Sequence, residues 1–196
     1  HPNVWFLMCA QALIGAIGPV IVFVGGFVGL KLAPNDVLAT LPVACMIVGI
    51  ALFMLPVITL LKKIGRKKGF FLAISWGIGN SLLTAYSIHI ANFWLFCLSI
   101  LLYGFMIAAV QQFRFAAMES VPEEKAGQAV SVLLLAGLVA AFIGPEIAFV
   151  GRDWLATEFA GSFIGVALLF ILSLVFILNY RATEALHDPQ QDTGRP

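Results

Sequence analysis

The sequence predicts an all-α membrane protein, a bundle of six transmembrane helices. Hydrophobic residues make up 61% of the chain and charged residues 11%, which is more apolar surface than a soluble domain of this size can bury. The apolar residues fall into six runs, each close to the roughly 20 residues that cross a hydrocarbon core. No segment shows the sustained alternation of polar and apolar residues that is typical of a strand.

Short polar segments separate the six runs. The predicted spans 1 to 6 cover residues 4–30, 37–61, 70–89, 93–115, 129–150 and 161–179. Residues 34–36, Pro-Asn-Asp, offer a turn and an N-cap before span 2, and Asn92 can cap span 4. Gly65 and Gly69 flank a basic loop before span 3, and Pro122 begins a new helix before span 5.

The basic residues predict the orientation. Five cations lie between spans 2 and 3: Lys62, Lys63, Arg66, Lys67 and Lys68. Short loops rich in Lys and Arg stay on the cytoplasmic side, so we expect this loop in the cytoplasm. An even number of spans then places both termini there as well. Residues 181–196 are polar and lack the apolar surface to fold alone, which predicts a cytoplasmic linker or tail.

The sequence carries no signature of catalysis. It shows no His, Cys and acid cluster at metal-ligand spacing, no nucleophile elbow and no phosphate-binding glycine loop. Cys9, Cys45 and Cys97 lie inside apolar runs, which favours packing over a metal site or disulfides. The net charge of +1 gives no nucleic-acid footprint. We therefore expect no enzyme activity, metal, cofactor or nucleic-acid partner.

Polar side chains inside the spans are the candidates for a solute or proton pathway. A polar or charged group in lipid is costly and usually faces the bundle interior or a water-filled cavity. The candidates are Gln11, Asn80, Gln111, Gln112, Arg114 and Glu146. Each has a structural alternative: Arg114 can extend to the inner interface or pair with Glu119, and the amides can bridge helices.

Glu146, inside span 5, is the candidate proton carrier. If it faces a cavity, Glu146 would favour its protonated form and could carry protons, whereas at the outer edge water would keep it ionised.

Residues 18–19 and 144–145 are both Gly-Pro: Gly18 with Pro19, and Gly144 with Pro145. Proline removes a backbone hydrogen bond, so each pair predicts a helix bend, and such bends often line cavities.

Residues 60–68, Leu-Leu-Lys-Lys-Ile-Gly-Arg-Lys-Lys, resemble the signature loop of the major facilitator superfamily. Lys63, Gly65, Arg66 and Lys67 match that pattern, whereas Lys62 stands in place of its Asp. Residues 112–129 and 136–146 look like the fourth and fifth helices of bacterial transporters in this superfamily, and residues 144–145 resemble the centre of its antiporter motif.

The resemblance implies a secondary active transporter built from two six-helix halves that rock around a central site. This chain would be the N-terminal half, in a bacterial inner membrane, with the lipid bilayer, a small-molecule solute and a second half as partners. Proton coupling and efflux of small organic solutes are the expected mode of action. The alternatives are a half-size dimeric transporter and a non-transporting membrane scaffold or assembly subunit. We find no convincing sequence repeat, although a three-plus-three inverted arrangement can persist in structure.

Overall fold

A computed structural model describes residues 2–180, with side chains from residue 4 onward. Its α-helices are α1 Pro2–Gly15, α2 Ile17–Leu32, α3 Leu41–Ile64, α4 Arg66–His89, α5 Phe93–Gln111, α6 Phe113–Glu119, α7 Ala126–Val150 and α8 Ala160–Asn179. Short 3₁₀ turns lie at Asp36–Leu38, Glu123–Lys125 and Gly151–Asp153. The part of the chain described contains no strand. The predicted tail, residues 181–196, lies outside the described residues.

Within the described residues, six segments are long and apolar enough to cross a membrane, which confirms the predicted fold class. Spans 1 to 6 run over Val4–Leu32, Asp36–Ile64, Arg66–His89, Phe93–Glu119, Glu123–Asp153 and Ala160–Asn179. Span 1 consists of α1 and α2, and span 4 of α5 and α6, so these two spans are interrupted.

The interruption in span 1 lies beside the Gly18-Pro19 pair. Pro19 has no N–H, so the carbonyl of Gly15 loses its helical donor. Helical bonding resumes where the Val20 N–H donates to the Ala16 oxygen at 3.1 Å. Helix α7, in contrast, continues through Pro145.

One residue, Gly65, joins α3 to α4. Its φ of 84° and ψ of 153° belong to a region that is essentially restricted to glycine. The basic segment is therefore mostly helical rather than an extended loop: Lys62 and Lys63 lie in the last turn of α3, and residues 66–68 open α4.

The spans pack with an internal regularity. Span 2 packs on span 4, as span 5 packs on span 1. Span 3 packs on span 4, as span 6 packs on span 1. Spans 3 and 6 also pack on each other. Exchanging spans 1, 2 and 3 for spans 4, 5 and 6 leaves this set of neighbours unchanged. The contacts thus show a three-plus-three arrangement without a sequence repeat.

Spans 2 and 5 occupy equivalent places in this arrangement and are the least covered. In the apolar window of each span, 11% of span 2 and 28% of span 5 is buried, against 50–56% in the other four. Large side chains such as Leu55 and Phe142 are 75% and 72% exposed. Spans 2 and 5 therefore present apolar surface that the other described spans leave uncovered.

Candidate functional site

A cleft of about 830 Å³ opens between spans 2 and 4 at the end of the bundle that carries the basic segment. Its lining residues are Met54, Ile58, Leu61, Lys62, Arg66, Gln111, Gln112, Arg114, Phe115 and Glu119. Three of the predicted pathway residues, Gln111, Gln112 and Arg114, thus line one cleft. It combines amides, cations and apolar surface, and its volume is within the roughly 300–1,000 Å³ of small-molecule sites.

The two glutamines lie at the interruption of span 4. Gln111 ends α5, and Gln112 stands between α5 and α6. The Gln112 N–H donates to the oxygen of Ala109, three residues back, at 3.0 Å, which tightens the last turn into a 3₁₀ form. The Gln112 side chain lies against span 2, with its Nε2 3.6 Å from Met54 Sδ.

Neither Pro nor Gly accompanies this interruption, so the usual sequence signal of a kink is missing. The sequence feature that marks this interruption is the pair of adjacent glutamines inside an apolar span.

Charge in the cleft is predominantly positive. Lys62, Arg66 and Arg114 line it together with one acid, Glu119. Arg66 and Glu119 form an ion pair that joins the start of span 3 to the end of span 4. Arg114 is exposed, and we find no ion pair for it among the described residues. An amide or anionic group of a solute would meet free donors here.

Spans 2 and 4 touch closely beyond the cleft, at a contact that our sequence analysis missed. A Cβ on Gly104 would overlap the backbone of Gly49, and a Cβ on Gly49 would overlap the carbonyl of Leu101. Small residues permit such backbone-to-backbone approach in membrane helices. The signal in the sequence was a glycine in the middle of each span, but glycine is common in such spans.

Asn80 and Gln11 lie in packed interfaces, away from the lining of this cleft. Asn80 is 5% exposed, and its Nδ2 donates to the Ser99 oxygen at 2.8 Å, which joins spans 3 and 4. Gln11 is 8% exposed, and its Nε2 donates to the Leu133 oxygen at 3.2 Å, which joins spans 1 and 5. Within the described residues, the side-chain oxygens of both have no hydrogen-bond partner.

Near Asn80, buried hydroxyls are paired. Tyr103 Oη donates to Ser81 Oγ at 2.8 Å, and Thr84 Oγ1 donates to the Asn80 carbonyl at 2.8 Å. The Tyr103–Ser81 pair joins spans 4 and 3, whereas the Thr84 bond satisfies a buried hydroxyl within α4.

The two Gly-Pro pairs meet where spans 1 and 5 cross. A Cβ on Gly144 would stand 2.6 Å from Pro19 Cβ and 2.8 Å from the Ala16 oxygen. Gly18 has no atom within 4 Å of its would-be Cβ and borders a smaller apolar cavity of about 230 Å³. Pro145 is exposed.

Glu146 is exposed on the uncovered side of span 5. Phe142 and Phe149, one turn before and after it, are 72% and 66% exposed. A carboxylate is thus surrounded by apolar surface about two turns from the end of the span. No described residue of this chain forms an ion pair with it.

The four residues that match the signature loop have separate environments. Gly65 makes the junction between α3 and α4, and Arg66 pairs with Glu119. Lys67 Nζ donates to the Leu178 oxygen at 2.7 Å, which ties span 3 to span 6. Lys63 is exposed.

At the opposite end of the bundle, ion pairs connect the ends of spans 1 and 5 through Glu158. Glu158 pairs with Lys31 at the end of span 1 and with Arg152 after span 5. The hydrogen bond from Lys31 and the positive charge of Arg152 hold the pKa of the Glu158 carboxyl below its usual value. Arg152 also lies over the Phe159 ring, 5.5 Å from its centroid.

Among residues 2–180, no three His, Cys, Asp or Glu side chains lie close enough together to hold a metal ion.

Comparison with known proteins adds one relative. The chain is 36% identical over 197 residues to the riboflavin transporter RfnT of Brucella anthropi. The alignment covers 99% of this chain and 50% of the relative, so the chain spans about half the length of the protein it matches. No protein-family model matches the chain, and no solved structure matches it.

Proposed function

We propose that this chain is one six-helix half of a secondary active transporter of small organic solutes. The observation that carries the proposal is the cleft of about 830 Å³ between spans 2 and 4, lined by Gln111, Gln112 and Arg114. The similarity to a riboflavin transporter along 99% of the chain supports it. The resemblance of residues 60–68 to a signature loop supports membership of the major facilitator superfamily.

The lining of the cleft suits a planar, hydrogen-bonding solute. Gln111 and Gln112 each offer a carbonyl acceptor and an amide donor, and Arg114 offers a fork of donors. Phe115 and Met54 supply apolar surface for a ring. Riboflavin, named for the relative, has a ring system with carbonyl and N–H groups along one edge and is the first solute to test.

A second six-helix bundle is part of the proposal, either in the same chain or as a dimer partner. Spans 2 and 5 have little cover from the other described spans, and the relative is about twice as long as the aligned segment. Glu146 supports this because a carboxylate inside a span usually faces protein or a water-filled cavity rather than lipid. A second bundle over spans 2 and 5 would give it such surroundings.

We propose further that transport is proton-coupled, that Glu146 carries the proton and that the direction is efflux. Glu146 directly follows Gly144-Pro145, which resembles the centre of the antiporter motif, and this position supports all three points. In reconstituted full-length protein, Glu146→Gln should preserve folding and abolish the pH-gradient dependence of flux. A flux with unchanged pH dependence would remove Glu146 as the coupling residue.

The deciding experiment is a flux measurement. Full-length protein in vesicles should move labelled riboflavin in response to an imposed pH gradient, faster than empty vesicles. Folded protein that neither binds nor moves riboflavin would contradict this solute. If the folded protein neither binds nor transports any solute from a panel of planar heterocycles, the scaffold alternative is favoured.

We propose an inner-membrane protein with both termini in the cytoplasm. The basic segment supports this orientation because translocation of short cationic segments is disfavoured. A cysteine introduced at Lys63, which is exposed, should react with a membrane-impermeant reagent only from the cytoplasmic side. Labelling from outside would reverse the orientation.

A further inference from the structure

A second groove lies between the start of span 3 and the end of span 6. It has a volume of about 420 Å³ and is lined by Lys67, Lys68, Phe71, Ile177 and Leu178. It shares no lining residue with the cleft between spans 2 and 4. Every residue of its lining is either a lysine or a large apolar residue.

Both lysines of the groove belong to the first turn of α4. Lys67 Nζ donates to the Leu178 oxygen at 2.7 Å. This carbonyl belongs to the last turn of α8, where backbone oxygens lack helical donors. The bond holds the ammonium group beside span 6 while leaving it two further donors. Lys68 is exposed, and no acidic residue lines the groove.

The apolar part of the groove begins beside the lysines, at Ile177 and Leu178 in the last turn of α8, and extends inward along α4 to Phe71. Phe71 is one turn beyond Lys67 in α4 and is 42% exposed, and Leu178 is 56% exposed. Cations at a helix end, beside an apolar trough that continues one turn inward along α4, match a phospholipid, with its phosphate at the boundary and an acyl chain against the helices.

We propose that this groove binds an anionic phospholipid of the leaflet that faces the basic segment. The phosphate group lies between Lys67 and Lys68, and an acyl chain packs on Phe71 and Leu178. Charge complementarity selects an anionic headgroup, because a zwitterionic one brings its own cation toward two lysines. The bound lipid bridges spans 3 and 6, which already pack on each other.

The test measures lipid binding to purified full-length protein by native mass spectrometry. The probes are phosphatidylglycerol and phosphatidylcholine with identical acyl chains. The wild type should prefer phosphatidylglycerol. Lys68→Gln should weaken its binding about fivefold, the approximate contribution of one lysine near an anionic surface, and leave phosphatidylcholine binding unchanged.

Lys63→Gln is the matched control, because Lys63 is an exposed cation of the same segment that does not line the groove. It should change phosphatidylglycerol binding less than twofold. Equal losses in Lys63→Gln and Lys68→Gln would overturn the proposal in favour of diffuse attraction to the segment.

A third variant tests the apolar part. Leu178→Trp fills the trough and should weaken both lipids; if it does not fold, Phe71→Ala removes one wall instead and should do the same. Unchanged binding in the folded variant would overturn the proposal. Glycerol 3-phosphate, the soluble headgroup fragment, should not compete at the lipid's concentration; effective competition would point to a soluble phosphate ligand and also overturn it.

Discussion

Spans 2 and 4 touch at one level of the membrane and separate at another. At Gly49 and Gly104 the two backbones are so close that neither helix has room for a Cβ. About two turns further along span 4, at Gln111 and Gln112, the same helices diverge around a cleft of about 830 Å³. The pair is thus packed tightly at one point and open at the next.

Glycine and glutamine have different roles at these two levels of the helix pair. Glycine removes side-chain bulk and allows a strong backbone contact. Glutamine brings hydrogen-bonding groups that lipid cannot satisfy, so it needs a partner or space for water and solute. We therefore expect changes at the glycines to affect folding, and changes at the glutamines to affect transport.

The largest effect is expected for Gly104→Leu. The new side chain would overlap the backbone of Gly49, which cannot move aside as a flexible side chain could. Overpacking costs about 1–3 kcal/mol and sometimes more, and a contact with backbone belongs at the upper end. Purified Gly104→Leu should show little or no monodisperse protein. Gly79→Leu is the control, since its Cβ would enter open space; equal losses would contradict the contact.

Gln112→Leu should impair transport without a comparable loss of stability. The change removes a donor and an acceptor from the cleft, and one lost hydrogen bond corresponds to roughly 1 kcal/mol, or about a fivefold loss in apparent affinity. The measurement is the KM for solute flux, with thermal unfolding alongside. Gln128→Leu changes an exposed glutamine of span 5 that does not line the cleft and should leave the KM unchanged.

Arg66→Ala should reduce turnover more than protein abundance, by a factor of a few. Arg66 pairs with Glu119 at the open end of the cleft, and exposed ion pairs contribute roughly 0.2–1 kcal/mol. If the pair matters as a unit, Glu119→Ala should give the same defect, and the double variant should be no worse than either single one. A fall in abundance alone would assign Arg66 a folding role.

The smallest effect on stability is expected at the opposite end of the bundle, at the ion pairs of Glu158. Lys31 and Arg152 lower the pKa of Glu158, so this carboxylate stabilises the fold above the usual glutamate pKa of about 4.3. That contribution is lost as the pH falls through the lowered pKa. Glu158→Gln should lower the melting temperature slightly at pH 7, and the difference from wild type should shrink as the pH falls below about 4.3 and vanish below the lowered pKa of Glu158. A difference that persists in acid would show that the effect is not ionic.

Local properties of the chain predicted its helices and several residues of the cleft. Hydropathy predicted the six helices because each helix satisfies its own backbone hydrogen bonds and each apolar run selects lipid as its surroundings. The sequence also singled out Gln111, Gln112 and Arg114, which the structure places along one cleft. These are properties of single segments, and no long-range contact is needed to recognise them.

Tertiary structure decided which of the polar and small residues meet. Asn80 and Gln11 satisfied the same sequence criterion as Gln112, yet they lie in packed interfaces because spans 4 and 5 cover them. The contact of Gly49 with Gly104 and that of Gly144 with Pro19 join segments far apart in the chain. Such pairings depend on which helix faces meet in the bundle, and a helix's own sequence does not name its neighbour.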